Sequence, residues 1–198
     1  MSIKENLLRS AGAVEEHYDA GDYIFYEEAH PQFYYQILEG QVKLNNYNED
    51  GKEFIQNIFS GPSCFGEPML FLEKPYPVNA VALSGCTVLK VHRDQFMQLL
   101  KVHPDLYFDI CRAISENTYN KFVLMRKISS KSASERLLEV MDMLKESQEK
   151  KDKFSFEIPH TRQQLASLTG LRVETAIRAI KQMEERKILK IRNRKIFY

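Results

Sequence analysis

Two stretches of this chain carry residue types at spacings suited to meeting an anion. In GPSCFGEPMLFLEKPYPVNAV, residues 61–81, closely spaced glycines precede a short apolar segment, one carboxylate (Glu67) follows the second glycine, and a further turn holds two prolines. Glycine lets backbone approach a ligand closely, so such a loop can cradle a phosphorylated small molecule if some group meets its charge. In HTRQQLASLTGLRVETAIRAIKQMEERKIL, residues 160–189, Thr161 can cap a helix, with Gln164 three positions on completing a capping box. Gly170 falls where the turn between two crossing helices needs an unusual backbone angle, and small Ala166 permits close helix approach. The second helix, roughly Arg172 to Arg186, directs Ala176, Ile177, Ala179, Ile180 and Met183 inward and leaves its N-terminal polar residues, among them Arg172, Glu174, Thr175, Arg178 and Lys181, outward. Such a helix fits the major groove of duplex DNA, where arginine pairs with guanine and glutamate accepts from the cytosine amino group. The closing ILKIRNRKIFY reads as two short strands around Arg192-Asn193-Arg194, a basic wing suited to phosphate contacts. An ordinary helical hairpin with a solvated charged face is the plainer alternative; the cap, the Ala-x-x-x-Gly spacing and the basic wing together favour DNA.

These residues need elements to position them. From 18 to 92 the chain reads as short strands, YIFYEEA, FYYQILEGQVKLNNY, EFIQNIF and AVALSGCTVLKVH, separated by Gly, Asp and Pro turns. A β-sandwich or small barrel of the jelly-roll kind follows. The period then changes. Asp94–Lys101 is a short helix candidate, and Pro104 opens a longer one running to Ile128. Along it Tyr107, Cys111, Ile114, Thr118, Met125 and Ile128 recur at about 3.5 residues, with Phe122 close to the stripe. Together with Ile110 these form the expected seam between two copies; the alternative is a helix lying on its own sheet, for which Leu106, Ile110 and Leu124 supply a second apolar face. Ser129–Ser132 breaks the period as a hinge. ASERLLEVMDML resumes as an amphipathic helix, and KESQEKKDK is a solvated helix end and loop.

Charge divides along the same line. Met1 to Ser129 holds 12 Lys+Arg against 17 Asp+Glu, a net of −5, and Ser130 to Tyr198 holds 16 against 10, a net of +6. A basic C-terminal third suits an anionic partner. Cys64, Cys86 and Cys111 lie far apart with no C-x-x-C pair, so a disulfide framework or a thiolate metal cage is not expected. His17, His30, His92, His103 and His160 show no metal-ligand spacing, so no metal is expected. No apolar run approaches the ~20 residues of a bilayer span, and MSIKENLLRSAG lacks the apolar core of a secretory signal, so we expect a cytoplasmic protein with no membrane partner. No nucleophile–base pair is readable, so we expect no enzyme.

With LEGQVKL, EDGKE, GPSCFGEPMLF and the 161–189 stretch in this order, essentially the whole chain resembles the cyclic-AMP receptor protein (CRP/FNR) superfamily of bacterial transcription regulators. The resemblance implies an α+β fold: a double-stranded β-roll over 1–103, a long dimerisation helix and hinge over 104–129, and a winged helix-turn-helix over 130–198. It implies a homodimer placing two recognition helices in successive major grooves, about 34 Å apart, a roughly two-fold symmetric duplex site, and RNA polymerase as a further partner. It assigns base or phosphate contacts to Glu174 and Arg178, and backbone contacts to Thr161, Arg162 and Gln163. Where the family often has arginine just before the glutamate, this chain has Val173, which the resemblance places among the DNA contacts, with Arg172 beside it.

The resemblance also implies an effector pocket, here Phe65, Gly66, Glu67, Tyr76, Pro77, Asn79, Lys121 and Phe122. In members that hold cyclic AMP, the glutamate of the FGE turn takes the ribose hydroxyl and a following Arg-Ser pair grips the phosphate. Gly66 and Glu67 are kept, but Tyr76-Pro77 stands at the Arg-Ser place, and no arginine lies between Arg9 and Arg93. Lys121 and Phe122 replace two small hydroxyl residues that meet the adenine. A charge-assisted hydrogen bond contributes about 1.5–3 kcal/mol, so losing the arginine alone weakens binding roughly ten- to a hundredfold. Cyclic AMP is therefore not the expected effector. No cysteine precedes Cys64, which removes the iron–sulfur branch, and no histidine or cysteine sits in a haem-ligand context. What remains is a different ligand, a pocket filled by its own aromatic residues (Phe65, Phe71, Tyr76, Phe122), or a non-standard contact to a cyclic nucleotide. A jelly-roll metalloenzyme would need clustered inward histidines that this chain lacks.

Overall fold

Alternation of side chains along short strands builds the N-terminal part of the chain. A helix, α1 (Glu5–Ser10), is followed by β1 (Val14–Tyr18), β2 (Tyr23–Phe25), β3 (Phe33–Glu39), β4 (Gln41–Tyr47), β5 (Glu53–Ser60) and β6 (Ser63–Phe65). A short helix, α2 (Glu67–Leu72), then leads to β7 (Asn79–Ala82) and β8 (Cys86–His92). The strands form two antiparallel four-stranded sheets, ordered β1-β8-β3-β6 and β2-β7-β4-β5. Phe25, Val42, Ala80 and Ala82 from one sheet and Tyr35, Ile37, Phe65 and Val88 from the other share one core. Gly40, at φ +90, joins β3 to β4 where an added Cβ would lie 2.4 Å from the Gly85 carbonyl oxygen, so only glycine fits. The computed structural model describes residues 2–128, 132–146 and 152–198, and the chain divides into two units, Met1–Asn117 and Thr118–Tyr198.

Beyond β8 the chain turns helical, with α3 (Arg93–Val102) and α4 (Asp105–Ile128). A second core contains Tyr34, Leu89 and Val91 from β3 and β8, Leu8 from α1, and Phe96, Leu99, Leu100 and Ile110 from α3 and α4. Tyr34 and Phe96 stack with ring centroids 4.1 Å apart. Two seam assignments are corrected here: Ile110 is 2 % exposed, and both Ile110 and Ile114 pack into this core. At about 100° per residue they fall on the same flank of α4 as Leu106 and Ala113. The exposed apolar stripe is instead Tyr107, Phe108, Cys111, Tyr119, Phe122 and Met125, with Phe108 79 % exposed. Thr118 is exposed on the same flank. The Leu124 and Ile128 side chains, residues 129–131 of the expected hinge and residues 147–151 of the charged run lie outside the described residues.

The second unit carries α5 (Ala133–Glu146), α6 (Arg162–Thr169), α7 (Val173–Glu185), β9 (Lys190–Arg192) and β10 (Lys195–Phe197). Leu137, Val140 and Met141 of α5 meet Leu165 and Ala166 of α6, Ala176, Ile180 and Met183 of α7, and Ile196 of β10 in one core. Each large apolar side chain buried this way contributes about 1.5–3 kcal/mol. Phe156 and Tyr198 exchange backbone hydrogen bonds of 3.2 and 2.8 Å, which lays the segment before α6 against β10.

Candidate nucleic-acid interface and β-roll pocket

The start of α6 is held as its sequence requires. Thr161 Oγ1 accepts from Gln164 N at 3.2 Å, and Gln164 Oε1 accepts from Thr161 N at 2.8 Å. Gly170 ends the helix in the left-handed region, at φ 67 and ψ 16. Arg172 caps α7 without a side-chain bond, so its guanidinium remains exposed. Ala176, Ala179, Ile180 and Met183 are buried beneath α7, and Glu174, Thr175, Arg178 and Lys181 stand exposed on the opposite face. Arg178 and Lys181 make no ion pair among the described residues. Gln182 and Glu185 share this face; their spacing from Arg178 could have added them to the expected set.

Val173 departs from expectation. It is half-buried and packed on the core, because about 100° per residue puts position 173 on the flank of Ala176, Ile177 and Ile180. It belongs to the support of α7 and not to its reading face.

The wing turns at Asn193 and Arg194, at φ 48 and 65, the pair of positive angles that a two-residue hairpin connection needs. Arg192 and Arg194 are exposed. Thr161 and Gln163 are exposed as expected, but Arg162 is half-buried and its Nη1 donates to the Arg194 carbonyl at 3.0 Å. One hydrogen bond thus ties the wing tip to the first residue of α6. His160, just before the cap, has its pKa lowered by burial, partly offset by a backbone bond with Pro159.

In the β-roll, the loop around Gly66 proves to be a helix start: Gly66, at φ 77, caps α2. A Cβ there would come within 3.0 Å of the Phe25 ring and 3.3 Å of the Tyr76 ring. Tyr76 is 2 % exposed and lies face to face on Phe25, with centroids 3.7 Å apart and planes at 10°. Phe65 stacks on Tyr35 at 5.5 Å and on Phe25 at 6.0 Å. Four rings therefore fill the space between the sheets, and two of them, Phe25 and Tyr35, were not singled out from sequence. Glu67 is buried beside them. The Tyr76 hydroxyl is buried with no hydrogen-bond partner among the described residues; burial, then the neighbouring Tyr35 and Glu67, raise its pKa. Burial likewise pushes Tyr35 up to about 12.

The other pocket candidates are spent or exposed. Asn79 Oδ1 accepts from Glu27 N at 2.9 Å and its Nδ2 donates to the Asn45 carbonyl at 3.3 Å, so its amide clasps backbone. Pro77 is exposed, as are Lys121 and Phe122 on α4. Phe122, 66 % exposed, fills no interior, and Phe71 packs edge-on against Phe96 in the other core. The partly buried cations of the roll are committed to carboxylates: Lys43 to Glu53, Lys90 to Glu16 and Arg93 to Glu73. Lys74 is exposed.

Comparison with known proteins agrees with this architecture. Residues 15–103 match the cyclic nucleotide-binding domain family, and residues 135–197 match the Crp-like helix-turn-helix domain family. The chain is 25 % identical over 175 residues to the HTH-type transcriptional regulator ArcR of Staphylococcus epidermidis, spanning 87 % of this chain and 76 % of that protein. It is 24 % identical over 157 residues to the cAMP-activated global transcriptional regulator CRP of Pasteurella multocida, spanning 78 % and 75 %. In fold it is similar to the c-di-GMP-responsive global regulator CLP of Xanthomonas campestris, with a TM-score of 0.80 at 18 % identity over 96 % of this chain and 95 % of that one. The named relatives are transcriptional regulators and not enzymes. A cyclic-nucleotide-type β-roll followed by a Crp-like helix-turn-helix with an exposed reading face makes this chain a member of the CRP/FNR family of transcription regulators.

Proposed function

We propose that this protein is a cytoplasmic homodimer that binds a roughly two-fold symmetric duplex site and regulates transcription with RNA polymerase, without cyclic AMP in its β-roll. The observation that carries the ligand part is the Tyr76 ring, stacked on Phe25 at 3.7 Å inside the roll. Tyrosine stands there at the place where, by resemblance, an arginine would grip the phosphate. A nucleotide entering that space would have to displace the ring, and the partly buried cations of the roll, Lys43, Lys90 and Arg93, are already held by Glu53, Glu16 and Glu73. DNA binding is then either constitutive or gated by an effector of another kind.

The dimer part rests on the exposed stripe of α4. Tyr107, Phe108, Cys111, Tyr119, Phe122 and Met125 occupy one flank while Ile110 and Ile114 serve the chain's own core. A second copy of the same helix covers such a stripe with itself. Two recognition helices carried by one dimer would then meet half-sites about 34 Å apart.

The test is fluorescence anisotropy of the purified protein on a pool of palindromic duplexes at fixed salt, with and without cyclic AMP. Tight binding that the nucleotide does not change is the expected result. Binding that requires micromolar cyclic AMP would overturn the ligand part, and sedimentation as a monomer would overturn the dimer part.

A further inference from the structure

Tyr76 is fixed by its main chain as well as by its ring. Its backbone N–H donates to the Ala29 carbonyl at 3.0 Å, and its own carbonyl accepts from Glu28 N at 2.8 Å. The connection that leaves α2 is thereby bridged to the one that leaves β2. The ring lies on Phe25 at 3.7 Å, in the core between the sheets that Tyr35 and Phe65 share. Tyr76 thus occupies the β-roll as a bound planar molecule would, with the tether supplied by the chain itself.

What the ring touches leads out of the roll. Phe25 and Tyr76 lie against Gly66, where an added Cβ would come within 3.0 and 3.3 Å of the two rings, and Gly66 is the N-cap of α2. With six residues and no side-chain cap, α2 is too short to be stable by itself and keeps its place through what packs on it. Met69 packs on the core that holds Tyr76. The next two residues, Leu70 and Phe71, enter the second core with Leu106, Ile110 and Ile114 of α4, and Phe71 meets Phe96 edge-on at 6.5 Å. The Leu70 carbonyl accepts from Arg93 Nε at 3.3 Å, and Glu73 pairs with the same guanidinium. α2 therefore joins the two cores, with its start against the ring stack and its middle against α4.

The seating of α4 decides which of its two apolar flanks is left over. Tyr107, Phe108 and Cys111 stand exposed because Ile110 and Ile114 are taken up by the chain's own core. Whatever holds Leu70 and Phe71 in that core also holds this division. Emptying the roll would free Gly66, loosen α2 and leave the Ile110 flank without part of its cover.

We propose that Tyr76 is a built-in effector: its ring occupies the roll permanently and, through Gly66 and α2, holds α4 in the seating that leaves the dimer stripe exposed. The protein then dimerises and binds DNA with no small molecule in the roll. This rests on the reading of the protein as a DNA-binding dimer and selects constitutive binding over gating by an effector of another kind.

The test uses the full-length protein and a duplex that wild type selects from a random pool. Wild type, Tyr76→Phe, Tyr76→Ala and Phe71→Ala are titrated on that duplex and sedimented, with and without p-cresol, at a temperature where melts show them folded. Wild type and Tyr76→Phe bind without p-cresol and do not respond to it. Tyr76→Ala binds about 5- to 150-fold more weakly, the usual size of a coupling between two sites. p-Cresol restores both its affinity and its dimer by refilling the space beside Phe25. Phe71→Ala weakens binding likewise, but p-cresol does not relieve it, because its roll is still occupied and the break lies beyond.

A folded Tyr76→Ala with wild-type affinity overturns the proposal. So does a Tyr76→Ala whose melting temperature p-cresol raises while its DNA affinity stays low, since the ring would then only pack. If Tyr76→Ala melts too low to be titrated, Phe71→Ala decides: wild-type affinity overturns the link, and a loss that p-cresol leaves in place upholds it. Failure of wild type to select any duplex overturns instead the DNA-binding reading beneath.

Discussion

Tyr76→Phe removes one oxygen from the middle of the β-roll, and its effect follows from what that oxygen lacks. The hydroxyl is buried without a hydrogen-bond partner among the described residues, and a buried polar group left unpaired costs about 1–3 kcal/mol. The phenyl ring keeps the 3.7 Å stack on Phe25. Tyr76→Phe therefore stabilises the protein by about 1 kcal/mol, a rise in Tm of about 2–4 °C at this chain length. Tyr76→Ala acts in the opposite direction. It removes the whole ring and leaves a void beside Phe25 and Gly66, a loss of about 3–5 kcal/mol by comparison with other aromatic truncations. Urea titrations of the three proteins, with thermal melts alongside, measure both changes. p-Cresol, the detached side chain, should raise the midpoint of the alanine variant and leave wild type unmoved. The reasoning is refuted if Tyr76→Phe destabilises by ~1 kcal/mol or more, because the hydroxyl must then have a partner in the folded protein. It is equally refuted if Tyr76→Ala costs less than ~1 kcal/mol, because the ring would then not be filling the roll.

Other parts of the molecule lend themselves to shorter tests. Arg162→Lys keeps the charge but not the guanidinium reach to the Arg194 carbonyl, so DNA affinity falls about tenfold, ~1.4 kcal/mol; a lysine variant that binds like wild type would make Arg162 a plain phosphate contact. Burial lowers the His160 pKa, so folding disfavours its proton: the contribution is full above the unfolded value of about 6.5 and is lost as pH falls below it. Melting temperature should drop as pH falls below about 6.5, and His160→Gln should flatten that drop. Phe108→Glu, at a position 79 % exposed in the single chain, should leave the stability of the β-roll unchanged while sedimentation shows the dimer dissociating.

Legibility in the sequence tracked how local each determinant is. The capping box, the Gly170 turn and the inward face of α7 are set within a few residues, and they are where the pattern of 160–189 puts them, with Ile177 alone of the inward set left half-buried. Val173 was misjudged because resemblance assigned it a base-side place, whereas its angular position on α7 assigns it to the core. The long helix shows the limit of periodicity. Its two apolar flanks were both visible, but which one lies on the chain's own sheet depends on Tyr34, Leu89 and Phe96, far away in sequence. Phe108 was missed for that reason and Ile110 was misplaced. α1, α2, β1 and β6 are too short, at three to six residues, for a period to declare itself. The absence of an arginine from the pocket loop could be read directly. That Tyr76 turns inward to meet Phe25 could not, because the stack is formed by a ring from another part of the chain.

That stack gives the ligand argument its magnitude. Displacing a ring whose removal costs about 3–5 kcal/mol weakens any occupant of the same space by roughly 10²- to 10³·⁵-fold. The missing arginine adds a further ten- to hundredfold, from about 1.5–3 kcal/mol of lost charge-assisted bonding. Together these put cyclic AMP roughly 10³- to 10⁵·⁵-fold below its affinity for a roll carrying the Arg-Ser pair. Tyr76→Arg with Pro77→Ser reverses both effects at once: the ring leaves the space, and a guanidinium enters beside the Glu67 carboxylate that the loop still keeps buried. Isothermal titration with cyclic AMP should then register binding by the double variant and none by wild type at the same concentration. Tyr76→Ala alone, which vacates the space without supplying a cation, should fall between them. Wild type binding as tightly as the double variant would mean that the phosphate is met by a cation other than the one the loop has lost, and the closed roll would no longer stand.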